Sequence, residues 1–343
     1  MAPLARGYRR APAPVRPRRP RPTGRLRRTL LAALVTAAVA VPVAGAARPA
    51  EVPAPAPAGV TRLTSAEPTA LAGELAARYA AGREELRAAE RTADTYGARR
   101  RAASLRAMAA PGRTFLSFDG RDGGRSVEVL GDLARAERIA VLVPGSDTGL
   151  DSYGRFRAGA TALQETLRRE SGARTAVVAW LGYRTPATGS AASLTPGRAE
   201  QAAPALRSFV EELSAVRPGA RITLLGHSYG SVVCALAAAG LPVAAVVLFG
   251  SPGTGFDTAA GLRTSAAVWA GRAAEDWVGE VPHLRVPLPL GTELGFGTDP
   301  VDPAFGARRF AAGDGGHSDY LVPGSVPLRN LARIVDGQEP DRA

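Results

Sequence analysis

The sequence predicts an α/β fold in which about eight mostly parallel strands form one sheet with helices on both faces, after an N-terminal helical appendage. Three observations support this prediction. The chain of 343 residues, 45% of them apolar, is long enough to bury a large core. From Arg113 onward, short apolar segments alternate with segments of helical periodicity. One strand-to-helix transition, at residues 221–236, passes through a serine flanked by glycines.

Eight segments have the composition of strands. The first two flank a Gly/Asp turn, so we expect them to pair antiparallel. The next five are unbroken apolar runs, which are typical of strands buried on both faces of a sheet. In chain order, the predicted strands are 115–119, 126–130, 139–143, 175–180, 221–225, 245–249, 266–270 and 307–310.

The segment before the sheet, residues 61–112, is predicted to be helical. Thr64 to Glu67 resemble a capping box followed by Pro68, and apolar residues then recur at helical spacing. We expect this region to pack one apolar stripe on the main domain, residues 113–338, and a partner-binding helix pair is the alternative. Within the main domain, one helix is expected to begin with Thr195 as its N-cap.

Residues 1–46 are predicted to be a signal peptide. Ten arginines and no acidic residue lie in this segment, and its apolar run 30–44 leads into Ala-Gly-Ala at residues 44–46, which is typical of a cleavage site. The run is shorter than the roughly 20 residues that span a bilayer, so cleavage is favoured over an uncleaved anchor. Arg27-Arg28 also suggests the twin-arginine export route. With residues 47–60 as a Pro/Ala-rich linker, we expect an exported protein that is secreted or associated with the cell envelope.

Charge and cysteine content argue against several other classes of protein. Outside the first 46 residues, acidic and basic side chains nearly balance, so nucleic-acid binding is not favoured. Cys234 is the only cysteine, so no intramolecular disulfide can form, and three scattered histidines add no recognisable zinc site. We expect a monomer that has no cofactor, no metal, no nucleic-acid partner and no stable membrane span after cleavage.

Ser228 is the predicted nucleophile. It is the centre of Gly-His-Ser-Tyr-Gly, residues 226–230, which follows a predicted strand and precedes a predicted helix. A nucleophile elbow needs this sharp turn, and its glycines remove the Cβ atoms that would clash. The turn also places the serine at a helix N-terminus, where backbone amides favour a developing oxyanion.

The base is predicted to be His317. Serine needs a base within reach, and histidine has a suitable pKa. His227 adjoins the nucleophile and is expected to point away across the turn, whereas no strand end precedes His283. His317 lies in a glycine-rich loop after the last predicted strand, where such folds place a mobile base.

The remaining parts are an acid and an oxyanion hole. Asp276 lies between Ser228 and His317 in chain order and closely follows a predicted strand, with Trp277 beside it as a shield from water. The oxyanion amides are expected from Tyr229, next to the nucleophile, and from Ser146 after strand 139–143. The rivals left open are Glu275, Asp257, Asp299 and Asp302 for the acid, and Asp147 for the amide.

These residues together resemble an actinobacterial α/β-hydrolase family of largely unknown function. The resemblance implies the α/β-hydrolase fold, with Ser228 as nucleophile, Asp276 as acid and His317 as base. The sequence departs from the family at Arg184, where an acidic residue is expected. The matching stretches are residues 141–145 (VLVPG), 182–183 (GY) with Pro186, 225–231 (LGHSYGS), 250–253 (GSPG), 305–307 (FGA) and 316–321 (GHSDYL).

The predicted activity is that of a serine hydrolase. It forms an acyl-enzyme from an ester-like or amide-like substrate, which is a small-molecule or lipid-like acyl compound. Two alternatives remain: a catalytically silent scaffold that binds a ligand or a cell-envelope partner, and an acyltransferase with the same triad. Because the segment 250–265 is too short for a large lid, the pocket walls are expected from residues 277–305 and from the N-terminal helices.

Overall fold

An eight-stranded sheet organises the chain. The computed structural model describes residues 52–59, 61–287 and 293–343. Within these ranges the strands are β1 (Thr114–Asp119), β2 (Arg125–Gly131), β3 (Arg138–Val143), β4 (Thr175–Leu181), β5 (Arg221–His227), β6 (Ala245–Phe249), β7 (Ala267–Gly271), β8 (Arg285–Pro287), β9 (Glu293–Gly295) and β10 (Arg308–Arg309). The main sheet has the order β1-β2-β4-β3-β5-β6-β7-β10. The fold is therefore the α/β-hydrolase fold that the sequence predicts.

Strand direction divides the sheet into two parts. β2 runs antiparallel to both β1 and β4, whereas all the pairs from β4 through β3, β5, β6 and β7 to β10 are parallel. The carboxyl ends of the parallel strands therefore lie at one edge of the sheet, which is where ligands bind in such folds. β8 and β9 form a separate antiparallel pair that the sequence analysis does not predict.

Helices cover both faces of the sheet, as the unbroken apolar strands predict. They are α1 (Pro68–Thr95), α2 (Arg99–Met108), α3 (Tyr153–Glu170), α4 (Gly197–Val216), α5 (Tyr229–Ala237) and α6 (Val326–Asp336). On one face, α4 and α5 bury Val141 of β3, and on the other, α3 and α6 bury Leu142 of the same strand. Successive side chains of a strand point to opposite faces, so each strand serves two cores.

The N-terminal helices share a third core with the sheet and with α3. Leu86 of α1 and Met108 of α2 are buried there with Phe115 of β1 and Tyr153 of α3. Beside this core, Glu128 of β2 is only 1% exposed.

The buried Glu128 carboxylate is held by two arginines. Its two oxygens accept hydrogen bonds of 2.7 Å each from Arg113, and one of them also accepts a bond of 3.0 Å from Arg157 of α3. A buried carboxylate needs such partners because burial removes its hydration. The cluster therefore ties the start of β1 to α3.

Two predicted helix starts are wrong. α1 begins at Pro68 with Glu67 as its N-cap, whose carboxylate accepts from the amides of Thr69 and Ala70. The amide and hydroxyl of Thr64 instead donate to Glu74, so no capping box forms there. The fixed φ of Pro68 starts the helix at that residue, which moves the cap to the residue before it.

The second error concerns α4. This helix begins at Gly197 with Pro196 as its N-cap, and Pro196 makes no side-chain capping bond. The carbonyl of Thr195 accepts a 2.7 Å hydrogen bond from the Tyr229 hydroxyl instead. A tertiary contact thus decides the position of this residue.

The predicted signal peptide, residues 1–46, lies outside the described residues, as do positions 47–51 and 60 of the predicted linker. Within the described part of the chain, no helix is both long and apolar enough to cross a bilayer. Cys234 is fully buried in α5, and burial raises the pKa of its thiol. Its position among apolar helical residues is typical of a buried structural thiol.

Candidate active site

The sharp turn between β5 and α5 holds Ser228 in a strained backbone conformation. Its φ of 52° and ψ of −127° are unusual for a residue with a side chain. Three glycines make the turn possible. A Cβ at Gly226 would lie 2.6 Å from Ser231 Cα, one at Gly230 would lie 2.4 Å from the Val143 carbonyl oxygen, and one at Gly145 would lie 2.6 Å from Ser228 Cβ.

Ser228, His317 and Asp276 form one chain of hydrogen bonds. The hydroxyl of Ser228 lies 2.9 Å from His317 Nε2, and His317 Nδ1 lies 2.9 Å from Asp276 Oδ1. Ser228 comes from the elbow, Asp276 from the loop after β7, and His317 from the loop after β10. The structure therefore brings together the three residues that the sequence analysis selects, at the carboxyl ends of the parallel strands.

Asp276 is buried, and three donors surround its carboxylate. Oδ1 accepts from the His317 imidazole and from the Val278 amide at 2.9 Å, and Oδ2 accepts from the Tyr320 hydroxyl at 2.5 Å. Burial alone would raise the pKa of the Asp276 carboxyl, but the hydrogen bonds from His317, Tyr320 and Val278 bring it below its usual value. Asp276 is thus held as a carboxylate facing His317.

Tyr320 is a site residue that the sequence analysis misses. Its hydroxyl donates to Asp276 and accepts a 3.0 Å bond from the Ala273 amide. Burial is the main cause that raises the pKa of the Tyr320 hydroxyl, and the hydrogen bond to Asp276 raises it further. The hydroxyl therefore stays protonated. The only signal in the sequence is its position three residues after His317, and that position does not say where the ring points.

The rival acids have other partners. Glu275 is exposed. Asp257 pairs with Arg285 at 3.3 Å, Asp299 pairs with Arg272, and Asp302 caps a short helix by accepting from Ala304. Among the described acidic residues, only Asp276 forms a hydrogen bond with the His317 ring.

His227 does not point away from the site, contrary to the sequence analysis. Its ring centroid lies 4.8 Å from that of His317, and its Nε2 lies 2.8 Å from the His317 carbonyl oxygen. His227 and Phe249 are paired in β5 and β6, so their side chains share the face against which the His317 loop packs. Burial and the neighbouring His317 lower the pKa of His227 to about 4. His227 is therefore neutral at neutral pH and donates to the loop carbonyl.

His283 lies outside the chain of hydrogen bonds. It lies on the segment that leads to β8, and its Nε2 is 3.8 Å from the Asp299 carboxylate. Trp277, by contrast, lies against His317 with ring centroids 4.9 Å apart, although 51% of the tryptophan is exposed. It thus covers one side of the imidazole and leaves part of its own surface to solvent.

Two backbone amides are available beside Ser228. Tyr229 is the first residue of α5, and the first amides of a helix have no partner within it. The amide of Ser146, in the loop after β3, has no hydrogen-bond partner among the described residues, and Ser146 lines the same pocket as Ser228. The rival amide of Asp147 donates to the Pro186 carbonyl at 3.0 Å and is occupied.

An open pocket of about 600 Å³ leads to Ser228. Its walls come mainly from the loop after β3, from the first half of α3 and from residues 318–323. Of the expected wall residues 277–305, Trp277 alone lines the pocket among those that the structure describes, and the expectation for the N-terminal helices is wrong. The reason is that α1 and α2 cover β1, at the far edge of the sheet from the Asp276 loop after β7.

Metal binding finds no support in the described part of the chain, where no group of three or more His, Cys, Asp or Glu side chains could hold an ion. The side chains of the site already bond to one another: the Ser228 hydroxyl to His317, His317 to the Asp276 carboxylate, and the Tyr320 hydroxyl to the same carboxylate. The described arrangement is suited to proton transfer and nucleophilic attack by its own side chains.

Comparisons with known proteins agree with this architecture. A family model described as Alpha/beta hydrolase matches residues 119–286. Uncharacterized protein Rv0963c of Mycobacterium tuberculosis (strain ATCC 25618 / H37Rv) is 34% identical over 261 residues, which are 70% of this chain and 90% of that protein. Uncharacterized protein Rv2079 of the same strain is 30% identical over 251 residues, 65% of this chain. The chain spans only 38% of the length of Rv2079.

Two solved structures are similar at lower identity. A Xanthomonas campestris protein, XC6422, described as "a member of a/b serine hydrolase without lid", is 19% identical with a TM-score of 0.38, over 66% of this chain and 94% of that chain. Esterase LipW from Mycobacterium marinum is 16% identical with a TM-score of 0.39, over 73% of this chain and 88% of that chain. Sequence similarity over nearly the whole of Rv0963c, together with the family match, shows that the chain belongs to an actinobacterial family of α/β hydrolases.

Proposed function

We propose that this α/β hydrolase is a serine hydrolase that cleaves an ester-like or amide-like acyl substrate through an acyl-enzyme on Ser228. One observation carries the proposal. The Ser228 hydroxyl, the two ring nitrogens of His317 and the Asp276 carboxylate are joined by two hydrogen bonds of 2.9 Å at the end of an open pocket. This is the arrangement by which a weak nucleophile gains a base and the base gains an orienting acid.

In the first step, Ser228 Oγ attacks the acyl carbon while its proton passes to His317 Nε2. The imidazole can accept it because its Nδ1–H already donates to Asp276, which fixes Nε2 as the acceptor. The imidazolium that forms is stabilised by the carboxylate. His317 then gives the proton to the leaving alcohol or amine as the bond to the acyl carbon breaks.

The negative charge on the tetrahedral oxygen is assigned to the amides of Tyr229 and Ser146. Tyr229 directly follows Ser228 at the start of α5, Ser146 lines the same pocket as Ser228, and the N-terminus of α5 adds a favourable dipole. Removing one such donor typically costs on the order of 10²-fold or more in kcat. Water then attacks the acyl-enzyme with His317 again as base, which releases the acid and restores the Ser228 hydroxyl.

The first test is chemical labelling of Ser228. A fluorophosphonate probe is expected to label the parent protein once, and Ser228→Ala is expected to lose the label and on the order of 10⁴-fold or more of the turnover of a short p-nitrophenyl ester. Circular dichroism serves as the folding control. Full turnover in a folded Ser228→Ala protein would contradict the proposal, and absence of labelling in the parent would favour the silent scaffold.

The second test concerns the acid. Asp276→Asn is expected to lower kcat by about 10⁴-fold, because an amide at this position favours the wrong imidazole tautomer. The matched control is Glu275→Gln, one residue away and exposed, for which turnover within about threefold of the parent is expected. Both are measured with the same ester. A larger loss in Glu275→Gln than in Asp276→Asn would contradict the assignment of Asp276 as the acid and would point to Glu275 instead.

A further inference from the structure

We propose that Arg155 binds an anionic group on an amphiphilic acyl substrate, and so determines which acyl compounds the site prefers. This inference rests on the proposed function and adds a substrate class to it. Arg155 lies in the first turn of α3 and lines the pocket that contains Ser228.

The charges of the pocket wall point to this role. Apart from the two histidines and Tyr320, the lining has two ionisable side chains, Arg155 and Asp147. The Asp147 carboxylate accepts a 3.0 Å hydrogen bond from the Thr188 amide. Arg155 is exposed and has no ion pair or hydrogen bond with any described residue, whereas Arg157, two residues on, pairs with Glu128 at 3.0 Å. Arg155 is therefore a positive charge on the pocket wall that forms no ion pair within the described part of the chain.

Much of the pocket wall that Arg155 shares is apolar. Phe156 follows it on α3, and Leu321 packs so closely on the same helix that a Cβ at Gly159 would lie 2.7 Å from its Cδ1. Val322 and Trp277 line the pocket with 46% and 51% of their surfaces exposed. A hydrocarbon chain would cover these side chains and bury apolar surface.

These two features together define the ligand. An apolar wall beside one guanidinium fits a compound with a hydrocarbon part and a carboxylate or phosphate, because a guanidinium forms paired hydrogen bonds with either anion. A neutral acyl compound of the same length would fill the apolar wall and leave Arg155 without a partner. Preference for the anionic compound is thus the measurable consequence.

The kinetic test compares matched esters. The p-nitrophenyl ester of hexanoate is paired with the mono-p-nitrophenyl ester of adipate, which adds a carboxylate to the acyl group. Phenyl hexanoate is paired with the hexanoyl ester of 4-hydroxybenzoate, which adds it to the leaving group. We expect the parent to favour the anionic member of one pair by about tenfold in kcat/KM, and 1 M salt to reduce this preference.

Arg155→Gln is expected to abolish that preference, since glutamine keeps a polar side chain without the charge. The control is Arg168→Gln, which removes another exposed arginine from the same helix outside the pocket lining and is expected to retain both preference and turnover. No preference in either pair for the parent, or an unchanged preference in Arg155→Gln, would overturn the inference.

A binding measurement separates this inference from the proposed function. In Ser228→Ala protein, which cannot turn over an ester by the proposed route, the dissociation constant of decyl phosphate is measured by calorimetry below its micelle-forming concentration. Adding Arg155→Gln is expected to weaken binding about tenfold or more, and adding Arg168→Gln to leave it unchanged. If Arg155→Gln weakens binding in this way but the unmodified protein hydrolyses none of the esters, the anion site is retained and the proposed hydrolase activity is rejected. Equal affinity in all three proteins would reject the anion site alone.

Discussion

Gly250 offers a direct way to disturb the triad without replacing any of its members. It follows β6 with a φ of 56°, and a Cβ built on it would lie 2.9 Å from Asp276 Oδ2, 3.0 Å from the Tyr320 ring and 3.3 Å from His317 Nδ1. In Gly250→Ala, the Asp276 carboxylate must therefore move by about 0.5 Å to reach ordinary van der Waals distance. That movement is transmitted to His317 through their hydrogen bond.

The expected size of the effect has two parts. Alanine in the left-handed region costs about 1–2 kcal/mol in the free energy of unfolding, and crowding in a packed site adds about 1–3 kcal/mol. For activity, misplacement of a catalytic group by a fraction of an ångström to 1 Å costs about 10²-fold in kcat. We therefore expect Gly250→Ala to remain folded while losing about 10²-fold in kcat.

The control is Gly306→Ala, which has the same backbone cost without the crowding. Gly306 has a φ of 83°, and a Cβ there would meet nothing within 4 Å. Urea unfolding and ester turnover are measured for both variants. We expect Gly306→Ala to lose about 1–2 kcal/mol and to keep turnover within about threefold of the parent. Similar turnover in Gly250→Ala and Gly306→Ala would refute the view that Gly250 leaves space for the triad.

Two further predictions concern the partners of the triad. Tyr320→Phe leaves the Ala273 amide without its acceptor and Asp276 without one donor, so we expect a loss of about 1–3 kcal/mol in urea unfolding and a lower kcat, and an unchanged stability would contradict this. His227 has its pKa lowered to about 4, so the folded protein binds this proton less readily than the unfolded chain and loses stability as the pH falls from about 6.5 to 4. In His227→Gln, whose amide can still donate to the His317 carbonyl, we expect the loss between pH 7 and 4.5 to be smaller by on the order of 2 kcal/mol, and equal losses in urea unfolding would exclude this titration.

The sheet is predicted well because its strands are buried on both faces. Such strands appear in the sequence as unbroken apolar runs, and five of the seven long strands of the sheet lie where those runs are. β1 and β2 lie on either side of the predicted turn, and no bound of the seven strands differs from the predicted one by more than two residues. β8 and β9 are not predicted, since Arg285–Pro287 is exposed and contains a proline, and Glu293–Gly295 is half-buried and short. Their pairing depends on contacts that leave no periodic pattern in the sequence.

The candidate site is predicted only as far as chain order and local turns determine it. The elbow around Ser228 is a local structure, and the order of Asp276 and His317 follows from the fold. The directions of the His227 and Tyr320 rings depend on how two loops pack over the ends of β5 and β6, and neither the spacing nor the composition reports this. The pocket walls are mispredicted for the same reason, because they depend on where α3 crosses the sheet.

The buried cluster of Arg113, Glu128 and Arg157 determines how far the chain can be shortened. A protein that began at Thr114 would keep the triad and every described residue that lines the pocket, and would still contain the whole of the matched segment 119–286. It would nevertheless lose the arginine that makes two of the three hydrogen bonds to Glu128, and it would expose Phe115 and Tyr153 to water. Removing one partner of a buried ion pair costs about 3–5 kcal/mol, a large part of the stability of a typical domain. Because Leu86 of α1 and Met108 of α2 also cover Phe115 and Tyr153, we expect the smallest stable unit to include both N-terminal helices as well as Arg113, although no residue of these helices lines the pocket.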